Sequence, residues 1–364
     1  MRRIRISIAV IVSSLISIGV IWIFSSSGIY ALQELGDPAY FLKRHVLFLG
    51  IGFILTFAVM AMDYRRLQYI AKPLILFTIF LLILVLIPHI GKASSGARRW
   101  FKIGFFSFQP SEFAKLALMI YISDFLARKQ NRVGNFFEGF LPVIIIMGII
   151  SVLIVKQPDL GNAVLVACIS LVMLFIAGAK LKHIFIVGVA VSPFLYFLVV
   201  KVPYRMQRIL AFIDPWKDCN GIGFQLSQSQ IALGSGGIFG VGLGKSMQKL
   251  FYLPAAHTDF ILSIIGEETG LVGTLVVIFL FIAFIWQGAR IAKRTLDPFG
   301  YFLSVGIVVM LGMQALVNIG VSIGALPTKG LPLPFISYGG SALIFNMISV
   351  GLLLNISRTE ELYR

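Results

Sequence analysis

The chain has 364 residues, 58% hydrophobic and 13% charged, with mean hydropathy +0.95 and 31 Lys and Arg against 15 Asp and Glu. That composition excludes a soluble globular fold and predicts an all-α polytopic membrane protein, because only helices or closed barrels satisfy their backbone groups in lipid. Two cysteines, Cys168 in an apolar run and Cys219 in a polar stretch, give no disulfide framework and no metal-ligand spacing.

In chain order, the apolar runs predict about ten transmembrane helices, near 6–24, 46–62, 70–88, 111–127, 140–156, 160–178, 183–200, 259–288, 301–320 and 341–357. The first follows Arg2, Arg3 and Arg5 and is too long for a signal-peptide core, so it is expected to stay as an uncleaved span. An even number of spans puts both termini on one side. Each short loop on that side carries two or three positives (Arg65, Arg66 and Lys72; Arg128, Lys129 and Arg132; Lys180 and Lys182; Arg290, Lys293 and Arg294; Arg358 and Arg364), as a cytoplasmic face should. With Arg2, Arg3 and Arg5 these segments hold 16 of the 31 cations, so the count alone barely orients the protein. The opposite face is basic too. Loop 89–110 carries Lys92, Arg98, Arg99 and Lys102, and the large loop 201–258 between helices 7 and 8 carries Lys201, Arg205, Arg208, Lys217, Lys245 and Lys249. An outer face this basic suits an anionic ligand or anionic lipid head groups, and neither excludes the other.

The even-numbered spans begin on that outer face with polar signals. The fourth starts Gln109-Pro110-Ser111-Glu112, the sixth follows Gln157-Pro158-Asp159, and the eighth starts Thr258-Asp259. Three prolines between 327 and 334 forbid regular helix before the tenth span, where irregular backbone must line a cavity or be buried in protein. Polar motifs and helix N-termini therefore converge on one face.

Each candidate residue has a structural and a functional reading. Asp259 is either a first-turn acid on the helix dipole with Thr258 as cap, or a partly desolvated general base. Glu112 and Lys115, three apart on one helix face, are either a structural ion pair or a cavity wall. Asp159 reads first as a helix cap. Glu267 and Glu268, inside the eighth span, are either hydrogen-bond partners or steps on a proton or ion path. Gly240-Val241-Gly242-Leu243-Gly244-Lys245-Ser246 lacks the first glycine of a phosphate-binding loop and has no preceding strand, so it predicts no nucleotide and simply presents Lys245.

Seven ordered motifs carry a resemblance. They are Gly96-Ala97-Arg98-Arg99-Trp100; Gln109 to Lys115; Gln157 to Gly161; Tyr204 to Arg208 with Asp214-Pro215-Trp216; Gln225 to Ser229; His257-Thr258-Asp259-Phe260 with Gly266-Glu267-Glu268; and Pro334 to Ser341. Together they resemble the SEDS family (shape, elongation, division and sporulation) of bacterial cell-wall polymerases, over nearly the whole chain. Gly242 to Ser246, Tyr252 to His257 and Pro327 to Gly330 look more like the division branch, FtsW, with the elongation branch, RodA, as the near alternative and a sporulation paralogue also open.

The resemblance implies a single membrane domain over 1–364, with 201–258 as its large extracytoplasmic loop. It implies a bacterial plasma-membrane location, both termini cytoplasmic and an extracytoplasmic active face. The implied reaction polymerises lipid II, the undecaprenyl-pyrophosphate-linked disaccharide-pentapeptide, for septal cell-wall synthesis. An inverting displacement by a 4-hydroxyl needs one base, and a pyrophosphate leaving group needs cations more than an acid. Asp259, which matches the family's essential aspartate, is the expected base. Arg98, Arg205, Arg208, Lys245, Lys249 and Lys329 are the candidates for pyrophosphate contact. Glu112 and Lys115 are expected to wall the cavity, with Asp159 beside the substrate. A divalent cation, Mg2+ or Mn2+, is an expectation without a legible ligand set. The implied partners are a class B penicillin-binding protein transpeptidase and other divisome proteins, and no nucleic acid. The competing readings are a lipid II flippase, which would use Glu267 and Glu268, and a non-catalytic scaffold.

Overall fold

The computed structural model describes residues 1–94, 97–104, 106–219 and 221–362; Gly96 and Arg364, both used above, lie outside the described residues. The described residues form twelve α-helices: α1 (Arg2–Leu35), α2 (Tyr40–Ala61), α3 (Leu67–Leu84), α4 (Pro110–Lys129), α5 (Leu141–Lys156), α6 (Leu160–Ile176), α7 (Leu181–Val200), α8 (Pro203–Ile213), α9 (Phe224–Gly236), α10 (Ile261–Arg294), α11 (Pro298–Ser322) and α12 (Gly340–Leu362). A small antiparallel sheet, β1 (Lys92–Ser94), β2 (Ala97–Ile103) and β3 (Phe106–Phe108), has the order β1-β2-β3.

Every predicted span falls on a helix. Among the described residues, eight helices are long and apolar enough to cross a membrane. The other two are α6, which has 17 residues, and α4, which carries Glu112, Lys115, Asp124, Arg128 and Lys129. The chain is a multi-pass membrane protein.

The helix ends follow local chemistry. Gly36, with φ 72°, stops α1 by donating its N–H to the Leu32 carbonyl. Pro110 and Pro298 occupy the first turns of α4 and α11, where a missing N–H costs nothing. Asp159 caps α6 and accepts from the Asn162 N–H at 3.2 Å.

The core is built around α4, α11 and α12. Helix α12 packs along α2, and α11 packs against α4, α6 and α10. Large apolar side chains on α2, α3 and α7 face outward, as lipid-facing surface must. Helix α7 stands at the periphery and buries none of its span.

Two predicted loops have more order than the sequence suggested. Residues 89–110 carry the sheet, and the large loop 201–258 contains α8 and α9. Helix α9 packs along α10.

Helix α10 is broken. Gly270 sits at φ 69° and ψ −162°, a backbone region open essentially to glycine alone. The carbonyls of Glu267 and Glu268 instead accept from the N–H groups of Val241 and Gly242, each at 3.0 Å. The N–H groups of Leu271 and Val272 donate to the Gly237 and Ile238 carbonyls at 2.9 and 3.2 Å. The glycine loop after α9 thus acts as a backbone splint across the break. A bare peptide group at membrane depth costs several kcal/mol (roughly 2–7), and the splint removes four such orphans.

Candidate active site

One cleft of about 690 Å3 opens where the outer helix ends meet. Its walls come from the end of α1 (Tyr30, Glu34), the start of α2 (Tyr40, Phe41, Arg44) and β2 (Arg99, Trp100, Lys102). Gln109 and Asp159, at the starts of α4 and α6, complete the walls together with Thr258, Asp259 and the irregular 330–340 segment. The predicted convergence of even-numbered helix starts is therefore a physical site.

Asp259 does not cap α10. The helix starts at Ile261 with no acid in its first turn, and the Thr258 hydroxyl donates to the Ala255 carbonyl at 3.2 Å. The aspartate lies in the turn before the helix, deep in the protein and half-open to the cleft. Asn318 of α11 fixes that turn: its side-chain amide donates to both the Asp259 and the Leu331 carbonyls, each at 2.8 Å. The opposing segment approaches closely at Gly330, where a Cβ would stand 3.1 Å from Asp259 Oδ2. Burial pushes the carboxyl up from 3.8 to about 6; Arg208, Thr258 and Arg99 pull it back, and Asp159 opposes them. A carboxylate so poised accepts a proton near neutral pH.

The predicted cations separate. Arg208 acts on Asp259 and donates to the Thr328 carbonyl at 3.0 Å, which ties α8 to the cleft rim. Arg205 turns back to the Leu198 carbonyl at the end of α7, 2.9 Å away, and does not line the cleft. Arg98 is exposed outside the cleft, whereas its neighbour Arg99 lines it. Trp100 and Lys102, which alternate with Arg98 along β2, line the cleft together with Arg99, so strand alternation does not account for the exposure of Arg98; the β1–β2 ladder is irregular at this point. The Arg99 guanidinium is held by the carbonyls of Gln157 (3.0 Å) and Pro158, which presents it beside the start of α6. Lys245 is exposed on the glycine loop, away from the cleft. Lys329 packs against Gly161 behind Gly330, and burial pushes its ammonium below the usual lysine range.

Lys249 is buried and pairs with Glu268 at 2.9 Å, so it contacts no ligand in the cleft. Glu268 also accepts from Ser25 of α1 at 2.6 Å. Glu267 accepts from the Ser246 hydroxyl and from the Met247 N–H at 2.9 Å. Glu267 holds the 245–249 segment with both oxygens, and Glu268 holds Lys249 and Ser25 through Oε1, while its buried Oε2 has no hydrogen-bond partner among the described residues; this is the hydrogen-bond reading of the pair. Glu112 and Lys115 form a buried ion pair at 2.7 Å and do not reach the cleft. Asp159 lines the cleft and caps α6 at once, holding Asn162 Nδ2 at 2.9 Å and Gln109 Nε2 at 3.3 Å.

Sequence reasoning did not select Arg44, Lys102, Glu34 or the aromatic walls. Arg44 lies 4.8 Å from the Tyr40 ring centroid, in cation–π contact, on the cleft side of α2. A signal was present: a charged residue in an otherwise apolar span start asks for a partner or a ligand.

Among the described residues no group of three or more His, Cys, Asp or Glu is placed to hold a metal ion.

Comparison with known proteins gives concordant matches. A protein of Geobacter sulfurreducens named probable peptidoglycan glycosyltransferase FtsW is 47% identical over 339 residues, covering 93% of this chain and 91% of that protein. Stage V sporulation protein E of Bacillus subtilis is 43% identical over 352 residues, 96% of each chain. A chain from a solved peptidoglycan synthase complex that coordinates polymerization and crosslinking superposes with TM-score 0.78 at 29% identity, covering 97% of both chains. The rod shape determining protein RodA of Thermus thermophilus superposes with TM-score 0.72 at 28% identity, covering 97% of this chain and 96% of that one. The model of the cell cycle protein family that unites FtsW, RodA and SpoVE matches residues 5–362, and the chain belongs to that family.

Proposed function

We propose that this chain is an inverting peptidoglycan glycosyltransferase whose cleft polymerises lipid II, with Asp259 as general base. The observation that carries the reading is the carboxylate of Asp259, which lines the cleft with no salt bridge among the described residues and is raised by burial to about 6, with Arg44, Arg99 and Lys102 in the same walls. The acceptor 4-hydroxyl attacks the anomeric carbon of the donor glycan. The new C–O bond forms as the bond to the lipid pyrophosphate breaks, and the hydroxyl proton passes to Asp259. The α-linked donor becomes a β-linked product. Cations held before the reaction stabilise the charge that develops on the leaving pyrophosphate, the largest usual contribution to such catalysis. Arg208 keeps this role from the sequence reading, and Arg44, Arg99 and Lys102 take it in place of Arg98, Arg205, Lys245 and Lys249. One base with cations differs from the carboxylate pair of sugar hydrolysis and matches a leaving group that needs no proton.

For a divalent cation, Mg2+ or Mn2+, Asp159 and Asp259 are the aspartates that line the cleft with the cationic walls, and Asp159 would have to exchange its bonds to Asn162 and Gln109 to hold one. Such an ion would supply further charge neutralisation on the leaving group.

The chain sits in the bacterial plasma membrane with both termini cytoplasmic and the cleft outside, as one membrane domain. Relatives named FtsW at 41–47% identity and stage V sporulation protein E at 43% support a branch apart from the RodA structure at 28%, and the FtsW-like motifs at 242–246, 252–257 and 327–330 support division within it. The partner is a class B penicillin-binding protein transpeptidase among other divisome proteins; the resemblance to a chain of a synthase complex supports this. The flippase alternative would use Glu267 and Glu268, which are buried away from the cleft and hold Ser246, Met247, Lys249 and Ser25.

The test is polymerisation of labelled lipid II by the purified protein with its transpeptidase, wild type beside Asp259→Ala and Asp259→Asn. Glycan chains from wild type alone, at equal folding and complex formation, support the base. Chains from all three would remove Asp259 from the mechanism.

A further inference from the structure

The cleft has a second wall that the mechanism leaves unused. Tyr30 at the end of α1 and Phe41 at the start of α2 both line it, with ring centroids 6.2 Å apart. They belong to one aromatic cluster. The His257 ring lies 4.6 Å from Phe41 and 6.0 Å from Tyr30, and Tyr338 lies 5.1 Å from Phe41. Burial pushes the His257 imidazole down to about 4, so it remains a neutral ring at working pH. His257 is two residues before Asp259 and its carbonyl accepts from the Tyr338 N–H at 3.0 Å. The aromatic wall and the base are therefore held by the same turn.

Membrane proteins carry aromatic rings at the water interface, and such belts face lipid. This cluster faces a water-accessible cleft. It also has a polar companion: Glu34 lies four residues beyond Tyr30, on the same face of α1, and lines the same cleft without a salt bridge among the described residues. An isoprenoid chain needs no carboxylate beside it. A pyranose ring needs both elements. Its axial C–H face is apolar and gains dispersion energy flat against an aromatic ring, while its edge of hydroxyl and amide groups requires hydrogen-bond partners.

We propose that Tyr30 and Phe41, with Glu34 one turn along α1, form a saccharide subsite that holds an N-acetylated pyranose by ring stacking beside Asp259. This rests on the glycosyltransferase reading and adds which wall grips sugar and which grips pyrophosphate. The two walls meet at Arg44, whose guanidinium lies against the Tyr40 ring. The aromatic side orients the ring carrying the attacking hydroxyl or the anomeric carbon, and the cationic side receives the leaving group.

The experiment measures initial polymerisation rate against lipid II concentration for the complex with its transpeptidase partner. The forms compared are wild type, Tyr30→Leu, Tyr30→Phe, Phe41→Leu and Glu34→Gln, with melting temperature and complex formation measured for each. Tyr30→Leu and Phe41→Leu keep apolar bulk and lose the ring. Each is expected to raise the half-saturating lipid II concentration about tenfold, with a smaller change in maximal rate. Tyr30→Phe restores the ring and is expected to fall within about twofold of wild type, and Glu34→Gln about threefold above it. If both leucine variants keep the wild-type half-saturating concentration and change only melting temperature, the cluster is structural and the subsite is overturned. If wild type itself makes no glycan, the glycosyltransferase reading fails and the subsite fails with it.

Discussion

Two sets of carboxylates lie eight or nine residues apart on one stretch of this chain and have opposite fates. Glu267 and Glu268 are fully buried, and their oxygens take Ser246, Met247 N–H, Ser25 and Lys249. Asp259 is also desolvated, yet among the described residues no salt bridge holds it and it opens onto a cleft. Charge at membrane depth marks a place that needs explaining. What separates structure from chemistry is whether donors inside the protein already hold the carboxylate, as Lys249 holds Glu268, or a cleft leaves it open to a ligand.

The sharpest break of that comparison is at Asp259. Asp259→Asn should lower polymerisation by about 10^2 to 10^4, the range for a lost general base. It should leave complex formation unchanged. Because the folded protein holds this proton more tightly than the unfolded chain, stability declines as pH rises from 3.8 to about 6. The asparagine variant removes that decline, so above pH 6 it should melt no lower than wild type in a thermal scan. A marked loss of melting temperature there would place Asp259 with the structural set.

At the other set the expectation reverses. Glu268→Ala strands the Lys249 ammonium in a buried site and should destabilise by about 3–5 kcal/mol. The double variant Lys249→Met with Glu268→Leu should recover most of that loss in chemical or thermal denaturation. Abolished polymerisation by the double variant at wild-type stability would make this pair functional.

The pH profile sharpens the contrast. If Asp259 is the base, kcat/KM should fall about tenfold per pH unit below about 6. An acid limb near 4 would mean a solvated carboxylate, with the base elsewhere. The smallest effect is expected at Gly330→Ala. The added methyl would stand 3.1 Å from Asp259 Oδ2, so the opposing loop must shift by a few tenths of an ångström. A several-fold slower rate with an unchanged melting temperature would report how closely that loop positions the base.

Much of the architecture was legible in the chain. Long apolar runs can only be membrane helices, and proline and aspartate at their starts marked which ends gather. Asp159 as the cap of α6 and irregular backbone before α12 were readable for the same local reasons. The site was legible in part. Asp259 stood out because an acid at a membrane mouth is costly, but its apparent role as a first-turn acid disappeared once the helix began two residues later. No rule of composition separates Arg98 from Arg99 in the sequence; an irregular β1–β2 ladder puts Arg99, Trp100 and Lys102 at the cleft and leaves Arg98 exposed outside it.

The sequence by itself determined the solvent this protein lives in, the family it belongs to and the acid most exposed to chemistry. These follow from transfer energies and local backbone preferences, which act over a few residues. Only the tertiary structure decided which charges remain available. Lys249 and Glu268 cancel each other across 19 positions of chain, Glu268 reaches Ser25 across 243, and Arg99 is presented by carbonyls 58 and 59 residues away. A side chain's partner is a property of packing at long range, and for an ionisable group the partner decides the role.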